Sequence, residues 1–209
     1  MQNAIDLPDL TRLDPDTRTR IDRTVLEIFS SREFHRIGLI EIARGANVSL
    51  QTIYKYYGSK EALLFSGLDF WLGQLTDELL PHLERSGDTR TRLRGLFDTA
   101  LSFFERNPKV MQMIMSSMYL NTWRESKTYR NHEAFGPLIK LLAEGRANGE
   151  LRTDVSEIIL LDYLQGIMFR LVQAYVADDQ RESLTAQSNA LFDMLWRAVE
   201  APTSMKAAA

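Results

Sequence analysis

Residues 37–64 read IGLIEIARGANVSLQTIYKYYGSKEALL. Two short helical stretches flank the tetrapeptide Ala46-Asn47-Val48-Ser49. A tight turn between two helices needs one residue at positive φ. Asn47 is the best choice after glycine, because its short amide tolerates the left-handed region. Ala43 and Ala46 are small enough for the two helices to approach, and Ile42, Val48 and Ile53 can lock them onto a preceding helix. Ser49 is positioned to cap the second helix, and Ser59 to cap a long helix after it. The residues left to face outward are Ser49, Leu50, Gln51, Thr52, Tyr54, Lys55 and Tyr56. They carry one cation and no anion, although a quarter of the chain is charged. A helical surface without carboxylates suits the phosphates and base edges of DNA.

Outward from this segment the pattern stays helical. Asp14-Pro15 reads as an N-cap with proline at the first helical position, and Ile21, Val25, Ile28 and Phe29 mark the apolar face of a helix over 15–32. After Ser59 a long helix carries the stripe Leu63, Leu64, Leu68, Trp71, Leu72, Leu75, Leu79 and Leu83. Asp88 and Asn107-Pro108 mark two further starts, Gly136-Pro137 a break or start, and Gly149 a C-terminal cap. Asp154 with Glu157 and Asp179 with Glu182 fit the capping box, placing the last two helices at about 154–177 and 180–199. No alternation typical of strands is present. The expected fold is all-α, with about nine helices. A flexible arm over 1–14 would precede a three-helix DNA-binding domain over 15–60. A second helical domain would follow over 61–200, then a flexible tail over 201–209.

Composition limits the function classes. The chain has 209 residues, 44% of them hydrophobic and 25% charged, as in a globular protein with a substantial core. It has no cysteine, which excludes disulfides, thiolate metal sites and cysteine nucleophiles. No HExxH metal spacing or phosphate loop occurs, so no enzyme, metal or cofactor is expected. The stretch MQNAIDLPDLTRLDPD, acidic and with two prolines, does not read as a signal peptide, and no long apolar run occurs, so a cytoplasmic protein without membrane contact is expected. The net charge is −3, yet Arg18, Arg20, Arg23, Arg32, Arg36, Arg44, Lys55 and Lys60 outnumber Asp22, Glu27, Glu33 and Glu41 over residues 17–60. A basic segment on an acidic body fits a small module that meets nucleic acid.

Ile42-Ala43, Ala46-Asn47-Val48-Ser49, Thr52-Ile53-Tyr54-Lys55-Tyr56-Tyr57 and Ser59-Lys60-Glu61-Ala62-Leu63-Leu64 together closely resemble the helix-turn-helix motif of the TetR family of bacterial transcriptional regulators. Three positions depart from the family pattern. Glu33 stands for a usual glycine, Ile37-Gly38 for a hydroxyl pair, and Asn47 for the turn glycine. Gly38 can still cap the helix and leave backbone N–H groups for a phosphate.

The resemblance implies a transcriptional regulator, by family habit a repressor, that leaves a near-palindromic operator when a small hydrophobic or amphipathic effector binds. The second helix of the motif would lie in the major groove. Gln51 suits adenine N6 and N7, Leu50 a thymine methyl, and Thr52 a base or phosphate. Tyr54 and Tyr56 resemble family positions that touch backbone or bases, and Lys60 resembles the family's phosphate-binding lysine. Arg18, Arg20 or Arg44 could flank the groove.

One such motif reads only a few base pairs, so a homodimer on double-stranded DNA is expected. In the family, two helices from each subunit form the interface. Here the candidates are Ile158, Leu161, Gln165, Met168 and Val172, then Leu184, Leu191, Leu195, Trp196 and Val199. The resemblance thus implies a ligand-binding and dimerisation domain over 61–200, with an effector cavity inside it. Met111, Met113, Met115 and Met118 lie beside Tyr119 and Trp123, and Phe103, Phe104, Tyr163, Met168 and Phe169 could add apolar wall. The alternative is a helical small-molecule or partner-binding protein that has lost specific DNA binding.

Overall fold

A computed structural model describes residues 10–117 and 132–202. Nine α-helices occur among them: α1 Pro15–Ser31, α2 Leu39–Gly45, α3 Leu50–Tyr57, α4 Lys60–Glu84, α5 Thr89–Arg106, α6 Pro108–Ser117, α7 His132–Ala147, α8 Glu157–Ala177 and α9 Ser188–Val199. Short 3₁₀ turns cover Phe34–Arg36 and Thr185–Gln187. The described residues contain no strand, only an antiparallel bridge between Leu151 and Glu200. No described helix is long and apolar enough to cross a membrane.

The helix starts follow capping chemistry. The Thr17 N–H donates to Asp14 Oδ2 at 2.8 Å, Thr52 N–H to Ser49 Oγ at 3.0 Å, Ala62 N–H to Ser59 Oγ at 3.0 Å, and Thr91 N–H to Asp88 Oδ1 at 2.7 Å. Each side-chain oxygen satisfies an amide that the helix itself leaves without an acceptor. Gly149 stops α7 at φ 70°.

Three expected boundaries move. Gly136-Pro137 neither breaks nor starts a helix, because α7 begins at His132 and contains Pro137. Pro137 is the sixth residue of α7 and forgoes one hydrogen bond inside the helix, which continues through it. The cap of α8 is Ser156, whose Oγ accepts from Ile159 N–H at 3.3 Å, while Asp154 is held by Arg152 at 2.7 Å. The final helix begins eight residues later than the 180 expected, at Ser188. Asp179 and Gln180 both have left-handed φ, 53° and 60°, which a right-handed helix cannot contain.

The chain divides into two compact units, one from the described residues of Met1–Gln74 and Asn107–Asn131, the other from those of Leu75–Arg106 and His132–Ala209. Helix α4 contributes residues to both.

In the first unit Ile21, Val25 and Phe29 of α1, Ile42 of α2, Ile53 of α3, and Leu63 and Leu64 of α4 are buried, with Val110, Met111 and Met113 of α6. α6 packs on α1, although the expected boundary at residue 60 assigns it to the C-terminal domain. The Lys109 ammonium of α6 also pairs with Glu27 of α1. Gly67 lets α4 approach α1 closely, since a Cβ there would lie 2.6 Å from Val25 Cγ1.

In the second unit α5 is central, packing on α7, α8 and α9. Its Leu93, Phe97, Leu101 and Phe104 are buried with Leu141 and Leu142 of α7, Leu160 and Val172 of α8, and Phe192 of α9.

Candidate nucleic-acid interface

The turn between α2 and α3 has the conformation that its chemistry demands. Asn47 sits at φ 53°, and the Val48 N–H reaches back to the Ala43 carbonyl at 2.9 Å. Ile42, Ala43, Ala46 and Ile53 are buried beneath it. The pair is therefore rigid where it must present α3. Ser49 caps α3, and its Oγ lies 2.8 Å from Thr52 Oγ1. Gln51, Tyr54 and Lys55 are exposed along α3, while Leu50, Thr52 and Tyr56 are half-buried. Gly38 is the N-cap of α2, without a side-chain capping bond and with open space where a Cβ would stand.

Two expected backbone contacts have partners within the chain. The Lys60 ammonium donates to the carbonyl oxygens of Phe34 and Ile37, both at 2.9 Å, and lies 4.3 Å from the Phe34 ring centroid. It joins the start of α4 to the 3₁₀ turn before α2. Tyr56 Oη donates to the Arg12 carbonyl oxygen at 3.1 Å. Among the arginines, Arg20 is also engaged, through Nε to the Ala46 carbonyl at 3.1 Å and Nη2 to Thr17 Oγ1 at 3.0 Å. Arg44 is exposed.

Residues 10–14, assigned from sequence to the arm, are folded. Leu10 and Leu13 are buried, and the Leu13 N–H donates to the Leu10 carbonyl at 3.0 Å.

Beneath α3 lies a polar cluster that sequence reading missed. Asp22 is only 2% exposed, and its Oδ2 stands 3.6 Å from Arg18 Nε, a charge contact beyond hydrogen-bonding reach. Neither atom has a hydrogen-bond partner among the described residues, nor does the buried Tyr57 hydroxyl. Burial pushes the Asp22 carboxyl up to about 6, with Arg18 pulling in the opposite direction. Burial and the nearby Asp22 charge raise the Tyr57 phenol. No motif marks these residues, because their proximity arises only when α1 packs under α3.

The expected interface residues fall on different faces of α8 and α9. Leu161, Val172, Leu184, Leu195, Trp196 and Val199 are buried inside their own subunit. Trp196, expected as an interface anchor, lies 6.4 Å from the Phe192 ring and under the Arg90 guanidinium at 5.7 Å, while Phe192 in turn lies 5.7 Å from Phe97 of α5. Helical spacing identifies apolar faces but not which of them meets the subunit's own core. Ile158 and Gln165 are exposed, and Met168 and Leu191 half-buried. The outward apolar surface includes residues that sequence reading did not select: Ile159 at 52% exposure and Met194 at 70%.

The expected effector residues are divided. Met111 is buried in the first unit, and Met115 lines an open cleft there with Ser30, Arg32, Glu33, His35 and Ser116. Phe104 is buried in the second unit, Phe169 is half-buried, and Tyr163 is 44% exposed rather than enclosed. Tyr163 shares the outward surface of α8 with Ile158 and Ile159. Met118, Tyr119 and Trp123 lie outside the described residues. Among those residues no group of three or more His, Asp or Glu is arranged to hold a metal ion.

The family model for bacterial regulatory proteins of the tetR family matches residues 24–66, which contain α2, the turn and α3. The HTH-type transcriptional activator FasR of Mycolicibacterium smegmatis (strain ATCC 700084 / mc(2)155) is 29% identical over 94 residues, 45% of this chain and 43% of that one. The fatty acid metabolism regulator protein of Bacillus subtilis (strain 168) is 22% identical over 179 residues, 84% of this chain and 91% of that one. The crystal structure of a transcriptional regulator FadR from Bacillus subtilis in complex with stearoyl-CoA has the same fold, with a TM-score of 0.74 at 21% identity over 85% of this chain and 97% of that one.

Proposed function

The chain belongs to the TetR family of bacterial regulatory proteins, and from that premise we propose that it is a homodimeric, effector-responsive transcriptional repressor whose effector is a long-chain acyl thioester. The observation that carries the DNA-binding role is α3 itself. Its exposed face presents Gln51, Tyr54 and Lys55 and no carboxylate, on a helix made rigid by the Asn47 turn and the Ser49 cap. Gln51 and Thr52 would read base edges, with Leu50 against a thymine methyl. The open N-terminus of α2 at Gly38 would meet a phosphate.

The outward apolar surface of α8 and α9 would join two subunits, through Ile158, Ile159, Tyr163 and Met194. A contiguous exposed apolar patch marks an interaction site. Gly166 of α8 is exposed on this surface, and open space lies where its Cβ would stand. A second helix can therefore approach closely there.

The acyl effector is carried over from Bacillus subtilis, from a similar sequence named for fatty acid metabolism and a similar structure bound to stearoyl-CoA. Binding would favour a dimer conformation that no longer fits successive major grooves, a population shift.

The test begins with selection of genomic DNA fragments by the purified protein at near-physiological salt. The selected duplex is then titrated with stearoyl-CoA, free stearate and coenzyme A. Enrichment of a near-palindrome supports the regulator. Release by stearoyl-CoA alone supports the acyl thioester. DNA binding that none of the three changes would overturn the effector assignment. No enrichment, with the protein folded and freed of small molecules, would overturn the repressor.

A further inference from the structure

The turn Leu10–Asp14 is fastened to one flank of α3. Leu10 and Leu13 anchor it by burial, Asp14 caps α1, and Tyr56 Oη donates to the carbonyl oxygen of Arg12 at 3.1 Å. The backbone of Arg12 is therefore held on both sides and at its own carbonyl. Its side chain is exposed, and among the described residues it makes no ion pair.

The chemistry of a phenol gives this contact a consequence. A tyrosine hydroxyl has one proton to donate, and a phosphate diester at neutral pH only accepts. With that proton on the Arg12 carbonyl, Tyr56 has none for the DNA backbone. Ser49, Thr52 and Tyr56 stand at i, i+3 and i+7, so they line one flank of α3 that leads to the Arg12 turn. Lys55 lies 5.0 Å from the Tyr56 ring centroid on the same helix. Two of the three arginines of the adjoining α1 are engaged elsewhere, Arg18 facing Asp22 and Arg20 bound to Ala46 and Thr17, while Arg23 is exposed. Arg12 is an exposed cation whose backbone is fixed at this flank by Tyr56, with Lys55 exposed beside it on α3.

We propose that Arg12 contacts a DNA backbone phosphate beside the groove read by α3, and that Tyr56 acts as its positioning residue through the Arg12 carbonyl. This rests on the DNA-binding reading above. It transfers to a residue of the N-terminal turn a contact that the sequence assigned to Tyr56.

The test uses the full chain and the duplex selected by the wild type, with affinity measured across a salt series. Arg12→Gln should weaken binding roughly 3–10-fold, equally for specific and unrelated duplexes. The slope of log affinity against log salt should become shallower by about one unit per subunit engaged. Arg12→Lys, which keeps the charge, should retain most of the slope. Tyr56→Phe, which removes only the hydroxyl, should weaken binding in the same direction. The double variant Arg12→Gln/Tyr56→Phe should be no weaker than Arg12→Gln alone.

Unchanged affinity and slope in Arg12→Gln, with the wild type bound, would overturn the phosphate contact. Additive losses in the double variant would overturn the positioning role of Tyr56. A wild type that selects no DNA overturns the regulator reading itself, and this proposal with it.

Discussion

Lys60 lies over Phe34, its ammonium 4.3 Å from the ring centroid and 2.9 Å from the Phe34 carbonyl oxygen. A second bond of 2.9 Å to the Ile37 carbonyl ties the first turn of α4 to the segment that leads into α2. A lysine that resembles a phosphate contact thus also holds the motif together. Lys60→Ala should lower the thermal midpoint of the DNA-free protein, because two carbonyls lose a charged donor, an effect of roughly 1–3 kcal/mol. Differential scanning calorimetry without DNA checks this. A Lys60 that only met phosphate would leave the midpoint unchanged.

Asp22 makes stability depend on pH in an unusual direction for a carboxylate. Its pKa is raised from the ordinary 3.8 to about 6 by burial. The folded state therefore binds the Asp22 proton more tightly than the unfolded state does. The associated stability is fully present below about pH 4 and is lost as pH rises through about 6. Asp22→Asn removes this dependence. Relative to wild type, the variant should gain about 2–3 kcal/mol between pH 4 and pH 7.5. Urea unfolding at fixed protein concentration measures it. A gap that stays flat or reverses would show that the carboxylate is not strained by burial.

The α2–α3 turn should respond to Asn47 in a defined order. At φ 53°, a β-carbon without a compensating amide costs about 1–2 kcal/mol. Asn47→Ala should lose roughly that much stability, and Asn47→Gly should lose little or none. Chemical denaturation ranks the three proteins, and equal losses for Ala and Gly would mean that the amide itself, not the φ angle, holds the turn.

The outward surface of α8 and α9 predicts a separation between assembly and folding. Ile158 and Met194 are 62% and 70% exposed, whereas neighbouring Leu195 is 4% exposed. Ile158→Lys or Met194→Glu should yield folded monomers, seen by light scattering after size exclusion and by an unchanged far-UV spectrum. Leu195→Ala should instead destabilise the subunit by about 2–5 kcal/mol through a core cavity. Dimers that persist in both charged variants would place the subunit interface elsewhere.

Much of this protein was legible in the sequence because the responsible interactions are local. Asp14, Ser49, Ser59 and Asp88 cap helices over three residues, and Asn47 adopts the turn conformation that its own amide permits. The helix-turn-helix, its outward residues and the all-α class follow from such short-range chemistry. Local signals misled where two candidates competed. Ser156, not Asp154, caps α8, and the left-handed pair Asp179-Gln180 delays the last helix.

Tertiary packing decided what local pattern could not. Periodicity showed that α8 and α9 have more than one apolar face. Only packing on α5 assigned Leu195 and Trp196 to the core and left Ile158 and Met194 outside. The charge of Asp22 acts on the Tyr57 phenol only once α1 and α3 are folded together. The bond from Tyr56 to Arg12 joins residues 44 positions apart, so no motif could contain it. Capping and turn preferences are properties of a few consecutive residues. Burial, charge pairing and the use of a single hydroxyl proton depend on which distant segments meet.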